Sequence, residues 1–340
     1  MKALVTGASG FVGSHLVERL VREGVEVVCQ VRETRLRRSY GGQASRPDWL
    51  EGLPVERRVA DLGDAESLAR AVRGVDYVFH VAALLRARTE RAYNAVNVEG
   101  TRNLLEAAER ACPDLRRFVY VGSLASAGPC QTPQPLDESA DTHPISFYGT
   151  SKLAAERLVL DAGNRMPAAV VRPPAVYGPR DTSFLSLFAI ARRYGIVPVI
   201  GSPSKELTLA YVTDVVDCLW RTATADAARG QVYFVGSGTH TWREVGNAVE
   251  QALGRRLRRP RMPAILARLA GEFGELKWTL TGTPQVICRR KINDVLQQRW
   301  TCSWAKATRE LDYAPQVTLN NGMRETVRWY EGTGWLKPRR

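Results

Sequence analysis

Three glycines recur at intervals of three, Gly7, Gly10 and Gly13, in the run "ALVTGASGFVGSHLVERL", where a short β-rich stretch passes directly into an amphipathic one. A turn of this kind lets backbone N–H groups approach a diphosphate, while the following helix presents the positive end of its dipole. Gly13 further permits close packing of helix on strand. A tight turn chosen only for its geometry is the alternative. The position between strand and helix favours the nucleotide reading.

The first half of the chain continues in the same rhythm. Strands are predicted at residues 2–6, 25–31, 55–60, 76–81, 117–122 and 168–172. Helical spacing of apolar residues marks "FVGSHLVERLVREG", "DAESLARAVRG", a long segment over 90–112, and "GTSKLAAERLVLDA". Alternation of this kind predicts an α/β fold with a doubly wound parallel sheet, which binds ligands beyond the carboxyl ends of its strands. After about residue 173 proline and glycine become frequent. We therefore expect a dinucleotide-binding domain over 1–172 and a smaller substrate-binding lobe over 173–340, with some strands and helices of the latter returning to the sheet. Thr241 and Glu244 form a capping-box pattern before a helix with Trp242, Val245, Val249 and Leu253 on one side, and Ser303 is placed to cap "WAKATRELDY".

Composition narrows the function classes. Among 340 residues, 44% are hydrophobic and 24% charged, as in an ordinary folded protein. The six cysteines are scattered, without a C-x-x-C pair or a grouping with the four histidines, so no metal site is expected and the thiols read as reduced. The start "MKALVTGASG" lacks the apolar stretch of a secretory signal, and a cytoplasmic location is expected. No apolar run reaches the roughly 18 residues that span a bilayer. A net charge of +13 suggests affinity for polyanions. The basic residues gather at 32–38, 254–261 and the terminal "KPRR", with no nucleic-acid module around them, so no nucleic-acid partner is expected.

In "FYGTSKLAAERLVL", Tyr148 and Lys152 stand four residues apart, one turn along the same helix face. A phenol with a pKa of about 10 is a poor proton donor at neutral pH. A nearby ammonium lowers that value and makes it a usable general acid or base. Alone, the pattern also describes a lysine stem lying beside a half-buried tyrosine. Ser123, just past the fifth strand, could donate to a carbonyl oxygen held between it and Tyr148, or could bond its own turn. At the end of the second strand Arg32 occupies the place where an acidic side chain would hold the ribose hydroxyls of NAD. Its guanidinium suits a 2′-phosphate, with Arg35, Arg37 or Arg38 as a second contact, which favours NADP(H); Glu33 keeps NAD(H) open.

"TGASGFVG" resembles the TGxxGxxG fingerprint of the extended short-chain dehydrogenase/reductases, Rossmann-fold enzymes with a C-terminal substrate lobe. The resemblance implies that Ser123, Tyr148 and Lys152 are the catalytic triad, with Asn97 of "NVEGTRNLLEAA" supporting it. It implies a cofactor site in which Ser9, Phe11 and Val12 join the glycines. Asp61 and Leu62 would follow the third strand, and Val81, Ala82 and Ala83 of "HVAA" the fourth. Pro173 and Val176, together with Tyr148 and Lys152 themselves, would complete it. Hydride would pass between C4 of the nicotinamide and a substrate carbon while Tyr148 moves the proton.

Within that family "RPPAVYGPRD" carries Ala175 where sugar-nucleotide enzymes commonly have asparagine, and Ser123-Leu124-Ala125 lacks the acidic pair of dehydratases. The RPP form and the ending "ATRELDYAPQVTLNNGMRETVRWYEGTGWL" look like the 3β-hydroxysteroid dehydrogenase and dihydroflavonol-reductase-like branch. This implies a hydrophobic ketone or secondary alcohol, sterol-like or flavonoid-like, as substrate. A nucleotide-sugar epimerase or dehydratase is the alternative, and a non-catalytic NADP-sensing protein a second. Phe184, Leu187, Phe188 and Trp278 are read either as walls of a lipid-like pocket or as core. "MPAILARLAGEF", beside the basic run at 254–261, is read either as a peripheral contact with anionic membrane or as a core-facing helix. Helices around 90–112 and 151–162 could serve a homodimer.

Overall fold

The computed structural model describes residues 1–32, 48–281 and 289–337. Its first half runs β1 (Lys2–Thr6), α1 (Phe11–Arg22), β2 (Glu26–Val31), β3 (Val55–Val59), α2 (Ala65–Ala71) and β4 (Tyr77–His80). Then follow α3 (Glu90–Tyr93), a π-helical stretch at Asn94–Glu99, α4 (Gly100–Ala111), β5 (Arg117–Val121), the short α5 (Leu124–Ala127), α6 (Phe147–Ala162) and β6 (Ala168–Arg172). Each strand lies within one residue of its predicted bounds. The segment read as one helix over 90–112 is helical throughout, with the wide π turn in its middle.

The second half contributes β7 (Ala175–Tyr177), α7 (Ser183–Tyr194), β8 (Val199–Ile200), β9 (Glu206–Tyr211), α8 (Val212–Thr224) and β10 (Val232–Phe234). After these come β11 (Gly238–Thr241), α9 (Trp242–Leu253), β12 (Arg261–Met262), α10 (Ala264–Thr281), α11 (Arg289–Leu296), β13 (Arg299–Trp300), α12 (Ala305–Leu311) and α13 (Leu319–Gly332).

Seven strands form one parallel sheet in the order β3-β2-β1-β4-β5-β6-β10. Strands covered on both faces can be apolar along their whole length, and β4 and β6 are buried at every position. The edge strand β3 instead turns Glu56 and Arg57 to solvent, which discourages pairing with another chain. On one face Leu16, Val17 and Leu20 of α1 share a cluster with Val215 and Leu219 of α8; on the other, Leu68 of α2, Leu104 of α4 and Val159 of α6 pack together. Because every strand is parallel, all seven carboxyl ends lie on one edge. The chain leaves β1 toward β2 on one side, with β4 on the other, and this reversal opens a crevice at the glycine turn.

The remaining strands, β11-β9-β13 with β7 paired to β9, and the pair β8–β12, stand apart from the main sheet. Their helices α7, α9 and α13 close on a core that contains Phe188, Val245, Val249, Met323 and Tyr330. Phe188 is fully buried with its ring 5.7 Å from Tyr330, and Phe184 and Leu187 pack against the same cluster. These three are core rather than walls of a lipid-like pocket, because the face of α7 that carries them turns toward α9 and α13. Trp278 is buried on the inner side of α10.

The capping box of α9 forms as read: the Glu244 carboxylate accepts the Thr241 N–H at 2.7 Å and the Thr241 hydroxyl accepts the Glu244 N–H at 3.2 Å. At α12 the N-cap is Trp304 rather than Ser303; the Ser303 hydroxyl accepts the Ala305 N–H at 3.3 Å in a turn that precedes the helix. Arg180, at φ 72°, joins the segment after β7 to α1 through an ion pair with Glu18 and a 3.0 Å hydrogen bond to the Ser14 hydroxyl.

A Cβ on Gly13 would stand 2.2 Å from the Gly7 carbonyl oxygen, so the helix and the turn touch backbone to backbone. Gly13→Ala is expected to lower the urea-unfolding stability of the cofactor-free protein by about 1–3 kcal/mol through overpacking. Gly332→Ala, with nothing within 4 Å of its new methyl group, should raise it by roughly 0.4–1 kcal/mol. Equal effects at the two sites would show that the turn is not close-packed.

Candidate active site

The glycine turn begins where β1 ends. Gly7 adopts φ +67°, and a Cβ there would lie 2.8 Å from the Ala82 nitrogen, which puts the turn in contact with the chain leaving β4. The Gly10 N–H closes the turn on the Gly7 carbonyl at 2.8 Å. Helix α1 starts at Phe11 with Gly10 as N-cap, no side chain caps it, and its first turn holds no acidic residue. The first N–H groups of the helix, on Phe11 and Val12 beside Ser9, are thus left to a ligand. Gln30, buried in β2, directs its side-chain oxygen toward the Gly7 N–H at 3.5 Å and contacts the Ala60 carbonyl with its amide nitrogen. It ties the ends of three neighbouring strands together.

Other residues predicted for the cofactor stand on the same edge. Arg32 is exposed directly past β2; Glu33, Arg35, Arg37 and Arg38 lie outside the described residues. Asp61, exposed past β3, accepts the Gly63 N–H at 2.8 Å in a turn. Leu62 is buried, and its carbonyl accepts a hydrogen bond from the Asn103 side chain at 2.8 Å. Val81, Ala82 and Ala83 follow β4. The Pro173 carbonyl accepts the Leu124 N–H at 2.8 Å, and Val176 lies in β7 opposite Ala210.

Beyond β5, Ser123 is the N-cap of α5 and accepts the Ala125 N–H at 3.1 Å. Ser146 caps α6 by accepting the Gly149 N–H at 3.2 Å, which positions half-buried Tyr148 in its first turn. Burial pushes the Tyr148 phenol up to about 12; a hydrogen bond with Ser123 works against this, and Tyr93, whose ring is 6.1 Å away, adds to it. Lys152 is buried beneath, donating to the Val121 carbonyl at 2.6 Å with its nitrogen 4.1 Å from the Tyr120 ring centre. Burial pushes this lysine down to about 7, opposed by Glu156. In the cofactor-free protein the Tyr148 pKa is thus raised rather than lowered as expected, because burial of the phenol outweighs the other effects, while Lys152 directs one of its N–H groups to Val121. At neutral pH Tyr148 is protonated.

One turn further along α6, Glu156 forms a buried ion pair with Arg172, with a guanidinium Nε hydrogen bond of 3.0 Å, and the Ser126 hydroxyl lies 3.3 Å from its carboxylate. Asn97 lies in the π-helical stretch and does not face the triad. Its side chain accepts the Leu84 N–H at 2.7 Å and donates to the Leu84 carbonyl at 3.2 Å and the Ser151 hydroxyl at 3.0 Å. Ser151 in turn donates to the Tyr148 carbonyl at 2.8 Å. Asn97 thus positions both the β4 exit and the start of α6.

His80 completes this arrangement. The Thr101 hydroxyl donates to the Asn97 carbonyl at 2.6 Å, so it can only accept from His80 Nε2, 2.9 Å away. His80 Nδ1 is then the acceptor for the Thr6 hydroxyl at 2.8 Å, and Thr6 accepts the Ala82 N–H at 3.2 Å. Burial, with Lys152 adding, pushes His80 down to about 3 and keeps it neutral. Glycine turn, β4 exit and α6 are joined by one chain of hydrogen bonds.

Residues 3–236 match the NAD dependent epimerase/dehydratase family. The chain belongs to this family. It is 32% identical to a ceramide reductase of Caulobacter vibrioides (strain NA1000 / CB15N), over 98% of this chain and 95% of the relative. To a 3-beta-hydroxysteroid dehydrogenase of Mycolicibacterium neoaurum it is 29% identical, over 97% of this chain and 91% of the relative. The crystal structure of gox2253 superposes with a TM-score of 0.80 at 27% identity, covering 98% of this chain and 99% of that one. The chain is an oxidoreductase of the extended short-chain dehydrogenase/reductase type. The family's dinucleotide fits the crevice: the backbone-packed glycine turn and the uncapped start of α1 are what a diphosphate requires. Among the described residues no cluster of three or more metal-ligating side chains occurs.

Lys152 titrates near 7 when folded and near 10.5 when unfolded. Burying it therefore destabilises the cofactor-free protein fully below pH 7, and the penalty fades as pH rises toward 10.5. Lys152→Met is expected to melt a few degrees above the wild type at pH 6, with the gap closing toward pH 10.5 in scanning calorimetry. A gap that widens with pH would refute the assigned burial penalty.

Proposed function

We propose that this enzyme reduces the carbonyl of a hydrophobic ketone to a secondary alcohol with NADPH, and catalyses the reverse oxidation, with Tyr148 as the proton donor and acceptor. The observation that carries this reading is a protonated, half-buried phenol beside a serine hydroxyl at the carboxyl edge of the sheet. A bound nicotinamide supplies or takes the hydride. Ser123 and Tyr148 together offer hydroxyl donors to one carbonyl oxygen, where charge grows as the carbonyl is reduced. Tyr148 then releases its proton to that oxygen. Lys152, one turn along α6, favours the phenolate left behind whenever its amine is protonated, and the resemblance assigns it a further hold on the nicotinamide ribose.

Gly7, Gly10 and Gly13 with the first N–H groups of α1 hold the diphosphate in this proposal. On the family resemblance, Asp61 is assigned to the adenine. Arg32, exposed at the carboxyl end of β2, pairs with the 2′-phosphate that distinguishes NADP from NAD. Two relatives named for a ceramide and a steroid support a bulky apolar substrate, as does Ala175 in place of the asparagine common among sugar-nucleotide enzymes.

Tyr148→Phe should lower kcat for ketone reduction by at least about 10²-fold, with NADPH binding by fluorescence titration nearly unchanged. Retained turnover would remove Tyr148 from the mechanism. Arg32→Asp should shift the ratio of kcat/KM for NADPH over NADH by at least about tenfold toward NADH, the equivalent of one charge-assisted contact. An unaltered ratio would exclude Arg32 as the discriminator.

A further inference from the structure

Helix α10 is apolar on two opposite sides. Ala267, Gly271, Gly274 and Trp278 are buried and face the protein. Ile265, Leu266, Leu269, Phe273, Leu276 and Leu280 are between 53% and 77% exposed. At about 100° per residue these six fall within an arc of roughly 100°, directly opposite the buried face. A helix that is apolar all round is stable only when both sides are covered, and no part of the described chain covers the outer one.

Cations border this stripe. Exposed Arg268 and Lys277 lie on its two flanks and exposed Arg261 precedes the helix, while Glu272 and Glu275 share the Arg268 flank. Arg88 donates to the Thr279 hydroxyl at 3.2 Å, which joins the helix to the chain leaving β4. That same segment carries Leu85, 66% exposed, and Ala82 and Leu84 of the site.

We propose that α10 lies in the surface of an anionic bilayer, its six-residue stripe among the acyl chains and Arg261, Arg268 and Lys277 at the lipid phosphates. No described helix is long and apolar enough to cross a membrane, so the contact is parallel to the surface. A net charge of +13 opposes association of two copies through this face and favours a negative lipid surface. The segment of Leu85 and Arg88, tied to this helix at Thr279, leads back to Leu84 and Ala82 at the β4 exit. Given the reaction proposed above, a lipid-like ketone then passes from bilayer to Tyr148 without crossing water.

The test is flotation of the purified full chain with vesicles of phosphatidylcholine alone or mixed with phosphatidylglycerol, at low and high salt. The wild type should float with the anionic vesicles, less so at high salt, and remain below with the neutral ones. Leu269→Glu combined with Phe273→Glu should reduce the partition coefficient at least tenfold, and Ile265→Ser combined with Leu280→Ser should reduce it in the same direction. NADPH binding, measured alongside, should be unchanged in both, which separates this surface from the active site. A wild type that does not float, variants that float equally well, or equal flotation with neutral vesicles would each overturn the proposal. A wild-type dimer that either double variant splits, with no flotation by any form, would assign the stripe to a second copy instead.

Discussion

A neutral histidine in the middle of the molecule determines where the parts of the site stand. His80 has one ring nitrogen committed to Thr6 at the end of β1 and the other to Thr101 on α4. Through Thr101 and Asn97 the constraint extends to Leu84 on one side and Ser151 on the other, and from Ser151 to the backbone of Tyr148. Every donor in this chain has one acceptor, and the direction of each bond follows from the one before it. A protonated imidazole would leave Thr6 without a place for its own proton. Burial, which holds His80 unprotonated, thereby holds the glycine turn and the Tyr148 phenol in register.

The second half of the chain secures this frame from outside. β10 extends the main sheet beside β6, and α8 packs on α1, so residues beyond 173 supply part of the layer that supports the glycine turn. Arg180 reaches α1 as well, in a backbone conformation that non-glycine residues rarely adopt. Glu156 and Arg172 bind α6 to the end of β6. A buried pair of this kind adds little net stability, but removing either partner strands a charge in the interior.

Much of this was legible in local pattern. Buried parallel strands read as apolar runs, the glycine turn stands between strand and helix, and Tyr148 and Lys152 are one turn apart on a helix with a serine cap. Gln30, His80, Thr101, Glu156 and Arg172 were not singled out, since their partners lie at separations such as 74 residues for Thr6 and His80. Glu156 did leave a signal, a charge on the Tyr148–Lys152 stripe inside an apolar stretch. The sign of the Tyr148 shift was misjudged because helical spacing shows that two side chains share a face, not how strongly burial acts on the phenol. Phe184, Leu187 and Phe188 were ambiguous for a related reason: an apolar helix face looks the same whether it meets ligand or core. The part beyond β6 is least legible, as strands of two or three residues such as β7, β8 and β12 are too short to show a period.

Lys152 has a consequence that reaches past its own contacts. Its ammonium donates to the Val121 carbonyl and lies over the Tyr120 ring, both on β5, so the central sheet, rather than the flexible reach of its own stem, sets where that charge stands beneath the crevice.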